Sequence, residues 1–308
     1  MNRPPELQDL FDAIARGGPY ASIDEVNRIL SARLAGYNTT PQAELGGLSP
    51  DELSQLVYGD WRSDGALRLN ESLEINALAG VPFFSDARVL MEYLHEQGPV
   101  KETPARNLPR AVVAALLPRL SLSDRWPQAV EMERTAPINE GDVPWLSELR
   151  HTLLFGGLVK RRKGLGLSAR GRQLLNGECA GELYAELFRT LFRQLDLRVL
   201  DRNDRHAGMQ STIVYSFYQL SNTARDWSTS QALANSAWLE SAKDPPSDWE
   251  RANIDLRHYS FAHRVLNPLV RFGLLERREL PGEQPWQHQV EYRCSALFDE
   301  FLRFEFRP

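Results

Sequence analysis

From residue 85 onward, apolar positions recur at helical spacing in a regular order. DARVLMEYLHEQG predicts an amphipathic helix ending at Gly98, and PVKET predicts a short strand. NLPRAVVAALLPRL predicts a second helix, capped by Asn107 and stopped near Pro118. After an irregular stretch, PWLSELRHTLLFGGL gives a third helix closed by Gly156-Gly157. LVKRRKGLGLS then reads as strand, glycine-containing turn and strand, with its tip near Gly164, and ARGRQLL starts another helix.

The last third of the chain repeats that order. MQSTIVYSFYQLS predicts one helix, and STSQALANSAWLE a second behind a Ser/Thr cap. SFAHRVLNPLVRFGLL predicts a third helix ending at Gly273. Residues 276–294 then form a hairpin whose tip falls near Pro281-Gly282. LLFGGLVKRR (153–162) and LVRFGLLERR (269–278) are the same phrase 116 positions apart, so Leu153 and Leu269 are predicted to be buried equivalents. Between the repeats, GELYAELFRTLFRQLDL places Leu183, Leu187, Leu191 and Leu195 on one side with Phe188 and Phe192 beside them. That connecting helix is too apolar to lie exposed.

The N-terminal block is also helical. Ser22 and Glu25 have capping-box spacing ahead of Val26, Ile29, Leu30 and Leu34. Ser49, Pro50 and Glu52 repeat the signal, and GYNTTPQAELGG between them reads as a linker. So few apolar positions predict a block that packs on the later residues rather than standing alone.

Three helices followed by a strand–turn–strand resemble the winged-helix fold, whose third helix commonly ends in a Leu-x-x-x-Gly-Leu-Val phrase. Leu153 to Val159 and Leu269 to Leu275 carry that phrase here. The resemblance implies a mainly α chain with small β-hairpin wings: an N-terminal helical segment (1–84), a first unit (85–177), a connecting helix (178–207) and a second unit (208–308). GGLSPDELSQLVYGDW and the run after it also resemble a poorly characterised group of bacterial proteins, which lends no activity. About 20 residues part the second and third helices in each unit (121–143 and 241–259), where DNA-binding winged helices use a short turn.

Composition changes this picture little. The 308 residues are 42% hydrophobic and 25% charged, as in ordinary globular proteins, and no apolar run reaches the ~18–20 residues of a membrane helix. Cys179 and Cys294 are the only cysteines and read as buried free thiols, which together with the absence of an export signal predicts a cytoplasmic protein. Net charge is −5, against bulk nucleic-acid binding, but residues 85–177 hold 14 basic and 10 acidic side chains. Their excess comes from Lys160, Arg161, Arg162 and Lys163.

Helical geometry then sorts the third helices. At 100° per residue, Leu146, Leu149 and Leu153 face inward in the first unit. Ser147, Glu148, His151 and Phe155 face outward, which with Trp145 suits a protein contact or self-association. In the second unit Ala262, Val265 and Leu269 face inward, and His263, Arg264, Asn267 and Arg271 outward. That set fits either a major-groove reader of double-stranded DNA, with Arg277, Arg278 and the KRRK wing on phosphates, or an ordinary solvated face. Pro268 either kinks the helix or starts a short one with Asn267 as cap. Asp201, Asp204 and His206 in DRNDRH match no metal motif, GLG (164–166) lacks the residues of a phosphate loop, and no nucleophile–His–acid phrase occurs. The expectation is therefore a non-enzyme without cofactor: a DNA-binding, transcription-regulator-like protein, or a protein-interaction module on the same fold.

Overall fold

The computed structural model describes residue 12 and residues 22–62, 65–121, 138–246, 257–280 and 289–307 of the chain. Ser22 Oγ accepts from the Glu25 N–H at 3.1 Å and opens α1 (Ile23–Thr39). This helix continues through Gly36 to Thr39, beyond the start of the predicted linker. One glycine costs a helix only about 1 kcal/mol, and the Thr39 and Thr40 hydroxyls bond back to the last-turn carbonyls. Ser49 and Glu52 form a reciprocal capping box at the head of α2 (Pro50–Tyr58). The block is tied to the far end of the chain, because β1 (Leu67–Leu69) pairs antiparallel with the last strand, β7 (Leu302–Phe304).

The first repeat holds α3 (Pro82–Gln97), α4 (Arg110–Leu116), α5 (Pro144–Phe155), β2 (Val159–Arg161), β3 (Leu165–Leu167) and α6 (Ala169–Leu174). Helix α3 starts at Pro82, inside the predicted N-terminal segment. Asn107 does not cap α4, which begins behind Pro109 without a side-chain cap. Asn107 instead closes a turn with Thr103, its N–H on Thr103 Oγ1 and its carbonyl accepting the Thr103 N–H. Of PVKET only Val100 pairs, through two 2.8 Å bonds with Leu165.

Helix α7 (Ala180–Arg189) and a π turn (Thr190–Gln194) lead to the second repeat. That repeat holds α8 (Ile213–Thr223), β4 (Ser228–Thr229), α9 (Ser230–Ala237), α10 (Arg257–Phe261), a π turn (Ala262–Leu266), α11 (Asn267–Arg271), β5 (Leu275–Leu280), β6 (Gln289–Cys294) and α12 (Ala296–Phe301). The chain is thus mainly helical with small antiparallel sheets. In both repeats the short extended piece after the first helix pairs with the second hairpin strand: Val100 with β3, and β4 with β6. The predicted tip at Gly164 has φ 128°, a conformation open to glycine, whereas the tip at Pro281-Gly282 lies outside the described residues. Most of the two long helix-two to helix-three inserts also lies outside them.

The repeated phrase has one physical cause. Leu158 N–H bonds Leu153 O, and Leu274 N–H bonds Leu269 O, both at 2.9 Å. Gly157 (φ 67°) and Gly273 (φ 69°) supply the left-handed residue that closes each helix in a Schellman motif. The correspondence runs further: Leu158 O accepts from Ser168 and Leu274 O from Ser295, and each serine precedes a short helix. Leu153 and Leu269 are both fully buried.

Helix α7 and its π turn run through the core. Leu183, Leu187, Phe188, Leu191 and Phe192 are all at 0% exposure, so the helix is buried as its apolar face predicted. Phe188 packs on Trp61, Phe217, Phe272 and Phe301 with ring centroids 5.2–5.8 Å apart, joining the N-terminal block and both repeats in one core. Cys179 and Cys294 are free but only half-buried. Burial pushes the Cys294 thiol up to about 12. Among the described residues no helix is long and apolar enough to cross a membrane.

Candidate functional site: the cleft between the two third helices

The third helix of the first repeat is α5; in the second it is the rod formed by α10, its π turn and α11. Their inner stripes follow the predicted register at Leu146, Leu149 and Leu153 on one and at Val265 and Leu269 on the other, all at 0% exposure, whereas Ala262 is only half-buried against the core. At Glu148 and Arg271 their outer faces do not look into solvent. They look at each other.

Arg271 sets both terminal nitrogens 2.6 Å from the Glu148 carboxylate, and its guanidinium lies 4.6 Å from the Trp145 ring centroid. The predicted outward register of Arg271 holds, but Glu148 occupies the guanidinium and leaves the residue 9% exposed. The outward placement of Arg264 is corrected: it is 1% exposed. Its Nε and Nη2 bond the Asp201 carboxylate, and its remaining donors reach the carbonyls of Asn203, Arg205 and His206. The cause is local. Arg264 sits in the π turn, where one extra residue per turn shifts the helical phase by about 100° from the uniform count.

The same π turn absorbs Pro268. Asn267 donates its N–H to Ala262 O, so the rod widens by one residue just before the proline ring needs room. Asn267 has helical dihedrals and does not cap; its Oδ1 accepts from Tyr292 OH at 3.0 Å. His263 is half-buried, its ring tilted 33° against Tyr259 at a centroid distance of 3.9 Å, with Nδ1 donating to Tyr259 O. Trp145 donates Nε1–H to the buried Asp86 carboxylate at 2.8 Å. His151 Nδ1 donates to Ser147 O at 2.7 Å. Burial, then the Arg150 guanidinium, holds the His151 imidazole below its ordinary pKa. Phe155 is 56% exposed, on the outward side that the helical count gives it.

The two wings differ electrostatically. In the second, Arg277 pairs with Glu279, Arg278 with Glu291 and Arg293 with Glu276, each at 2.6 Å. The last two pairs are directly cross-strand, and both arginines stack on Trp227. In the first wing Arg161 pairs with Glu102. Arg162 and Lys163 are exposed at the tip and Lys160 is half-buried, and none of the three has an acid partner among the described residues.

The fold therefore gathers most of the predicted residues into one place. Trp145, His263, Asn267, Arg271 and Arg277 line a cleft of about 390 Å³ with Pro144, Glu148 and Leu200. His151 and Phe155 line an adjoining groove of about 620 Å³, which shares Pro144, Glu148 and Leu200 and adds Leu195, Val199 and Arg202. The KRRK wing lies outside both. Val199 and Leu200 escaped the sequence reading, and Asp201 was weighed only for metal or catalytic chemistry, because nothing local marks them as facing α5 or the rod. The DRNDRH stretch is structural: Asp201 holds Arg264, and the buried His206 packs edge-on against Trp238. Among the described residues no group of His, Cys, Asp and Glu is placed to hold a metal ion.

Residues 79–180 match the family model of the Y4jL N-terminal domain. That stretch starts just ahead of α3 and ends on the first residue of α7, so it takes in the whole first repeat and a third of the chain. No curated protein and no solved structure gives a significant match.

Proposed function

We propose that the chain is a tandem pair of winged-helix units working as a protein-interaction module, with the cleft between the two third helices as its contact surface. The winged-helix reading is supported by the doubled element order, the same strand pairing in both repeats and the paired Schellman closures. The interaction reading rests on one observation: Arg264 and Arg271, the guanidiniums best suited to guanine, are already bonded to Asp201 and Glu148. A major-groove reader needs those donors free for base edges. Phe155 and Val199, 56% and 59% exposed, instead offer apolar area at the mouth of a groove, where an incoming side chain gains most from desolvation.

A second reading has its own observation. The exposed cations at the first wing tip suit sequence-independent contact with duplex phosphates, each contact adding about one unit to the salt slope. One pair of measurements separates the two. Titration of random-sequence duplex across a salt series is expected to give no salt-dependent binding. Affinity capture is expected to recover a protein partner, or a second copy, that F155D/V199D loses and R162E/K163E keeps. Salt-dependent duplex binding abolished by R162E/K163E would move the function to the wing.

A further inference from the structure

Between Trp145 and the α10–α11 rod the charges lining the cleft are net cationic. Two guanidiniums, Arg271 and Arg277, face one carboxylate, Glu148, with the Trp145 ring as an apolar wall. Arg271 spends both terminal nitrogens on Glu148 and leaves its Nε–H buried with no acceptor. A buried donor without an acceptor is costly, and a bound acceptor relieves it. Asn267 uses only its oxygen, toward Tyr292, and its NH₂ group bonds no acceptor among the described residues. Arg277 is held by Glu279 on its own exposed strand and by Tyr292 opposite it in the hairpin. Donors thus outnumber acceptors on the polar side, while Leu200 and Pro144 continue the surface into the apolar groove under Phe155. A cleft of about 390 Å³ is the size that takes a small molecule.

We propose that this cleft binds a small organic acid, its carboxylate on Arg271, Arg277 and Asn267 and its aryl or alkyl body along Trp145 and Leu200. A carboxylate matches guanidinium geometry, two oxygens to two N–H groups, and offers the missing acceptor to Arg271. Because α5 and the rod belong to different repeats, such a ligand bridges them at the Glu148–Arg271 contact. The site stands on its own lining and does not depend on a protein partner being found.

The test uses the full chain and 4-phenylbutyrate, with the uncharged 4-phenylbutanamide as its control. Titration calorimetry is run beside ¹H–¹⁵N spectra of the Trp145 indole and the Arg271 Nε–H. Expected is saturable binding of the acid that shifts both signals, with the amide at least tenfold weaker. R277Q, at an exposed strand position, is expected to melt like wild type and to bind the acid at least tenfold more weakly. The proposal fails if wild type shows no saturable binding of the acid. It fails equally if the amide binds as well, or if R277Q, folded, binds undiminished. Duplex or partner binding tests the functional reading separately and moves none of these outcomes.

Discussion

The guanidinium of Arg264 meets the Asp201 carboxylate side-on, with Nε to Oδ2 and Nη2 to Oδ1 both at 2.9 Å. Neither side chain is exposed beyond 1%. The remaining N–H groups close on three carbonyls of the 203–206 stretch. In this loop Arg202 and His206 both hold positive φ, 56° and 60°, which costs energy unless the surroundings impose it. Arg264 on the loop's carbonyls and Asp244 on the His206 N–H together hold it.

Removing the guanidinium leaves a buried carboxylate without its counter-ion and takes the donor from the Asn203 and Arg205 carbonyls, while the Met209 N–H still bonds His206 O. Arg264→Ala is expected to lower unfolding free energy by about 3–5 kcal/mol in urea denaturation. Arg264→Lys should recover little, because an ammonium cannot make the side-on pair. A loss under about 1 kcal/mol for Arg264→Ala would mean that the pair does not form in solution.

Arg271 and Glu148 join the two repeats rather than stapling a loop. Their coupling is measured by a double-mutant cycle with Arg271→Met and Glu148→Gln. An interaction energy of about 1–3 kcal/mol is expected, since the pair is bidentate and about nine-tenths buried. Additive single effects would mean that α5 and the rod do not meet as described.

The paired leucines carry a prediction that the sequence made by itself. Leu153→Ala and Leu269→Ala each delete a fully buried side chain one turn ahead of a Schellman closure. Each should cost about 2–5 kcal/mol, from lost transfer energy plus the cavity. Thermal unfolding that is unchanged in either variant would break the equivalence of the two repeats.

What was legible in the chain was local. Ser49 with Glu52, Gly157, Gly273 and the leucine stripes announce themselves within a few residues, because caps and helical periodicity act over one or two turns. The outer faces were not legible in the same way. Glu148 meets Arg271 across 123 positions, and no local pattern encodes that meeting. Arg264 was misplaced because a π turn cannot be seen in a 100° count. The second wing read as basic from Arg277 and Arg278, yet its acids stand opposite only once the hairpin register is fixed, Arg278 against Glu291 and Arg293 against Glu276. In the first wing Lys160 faces Gly166 and Arg161 faces Leu165, neither of them acidic, so Arg161 finds its acid, Glu102, outside the hairpin.

His151, in the groove beside the cleft, gives the fold a pH dependence. Burial, followed by the neighbouring Arg150 guanidinium, disfavours the charged imidazolium, and Arg161 adds to this. The Ser147 carbonyl and Glu140 oppose it without cancelling it, so the folded-state value lies below the ordinary 6.5. The unfolded chain therefore binds the proton first as pH falls. Above the unfolded value both states are neutral and His151 adds no pH dependence. Below it, stability is lost with falling pH until the folded form titrates too. Wild type should thus lose more stability than His151→Gln between about pH 7 and pH 5, by about 1.4 kcal/mol for each pH unit separating the two values. Comparing the two proteins removes the shared carboxylate background. An NMR titration supplies the independent check: a His151 midpoint at or above 6.5 would overturn the assignment, whatever the melting curves show.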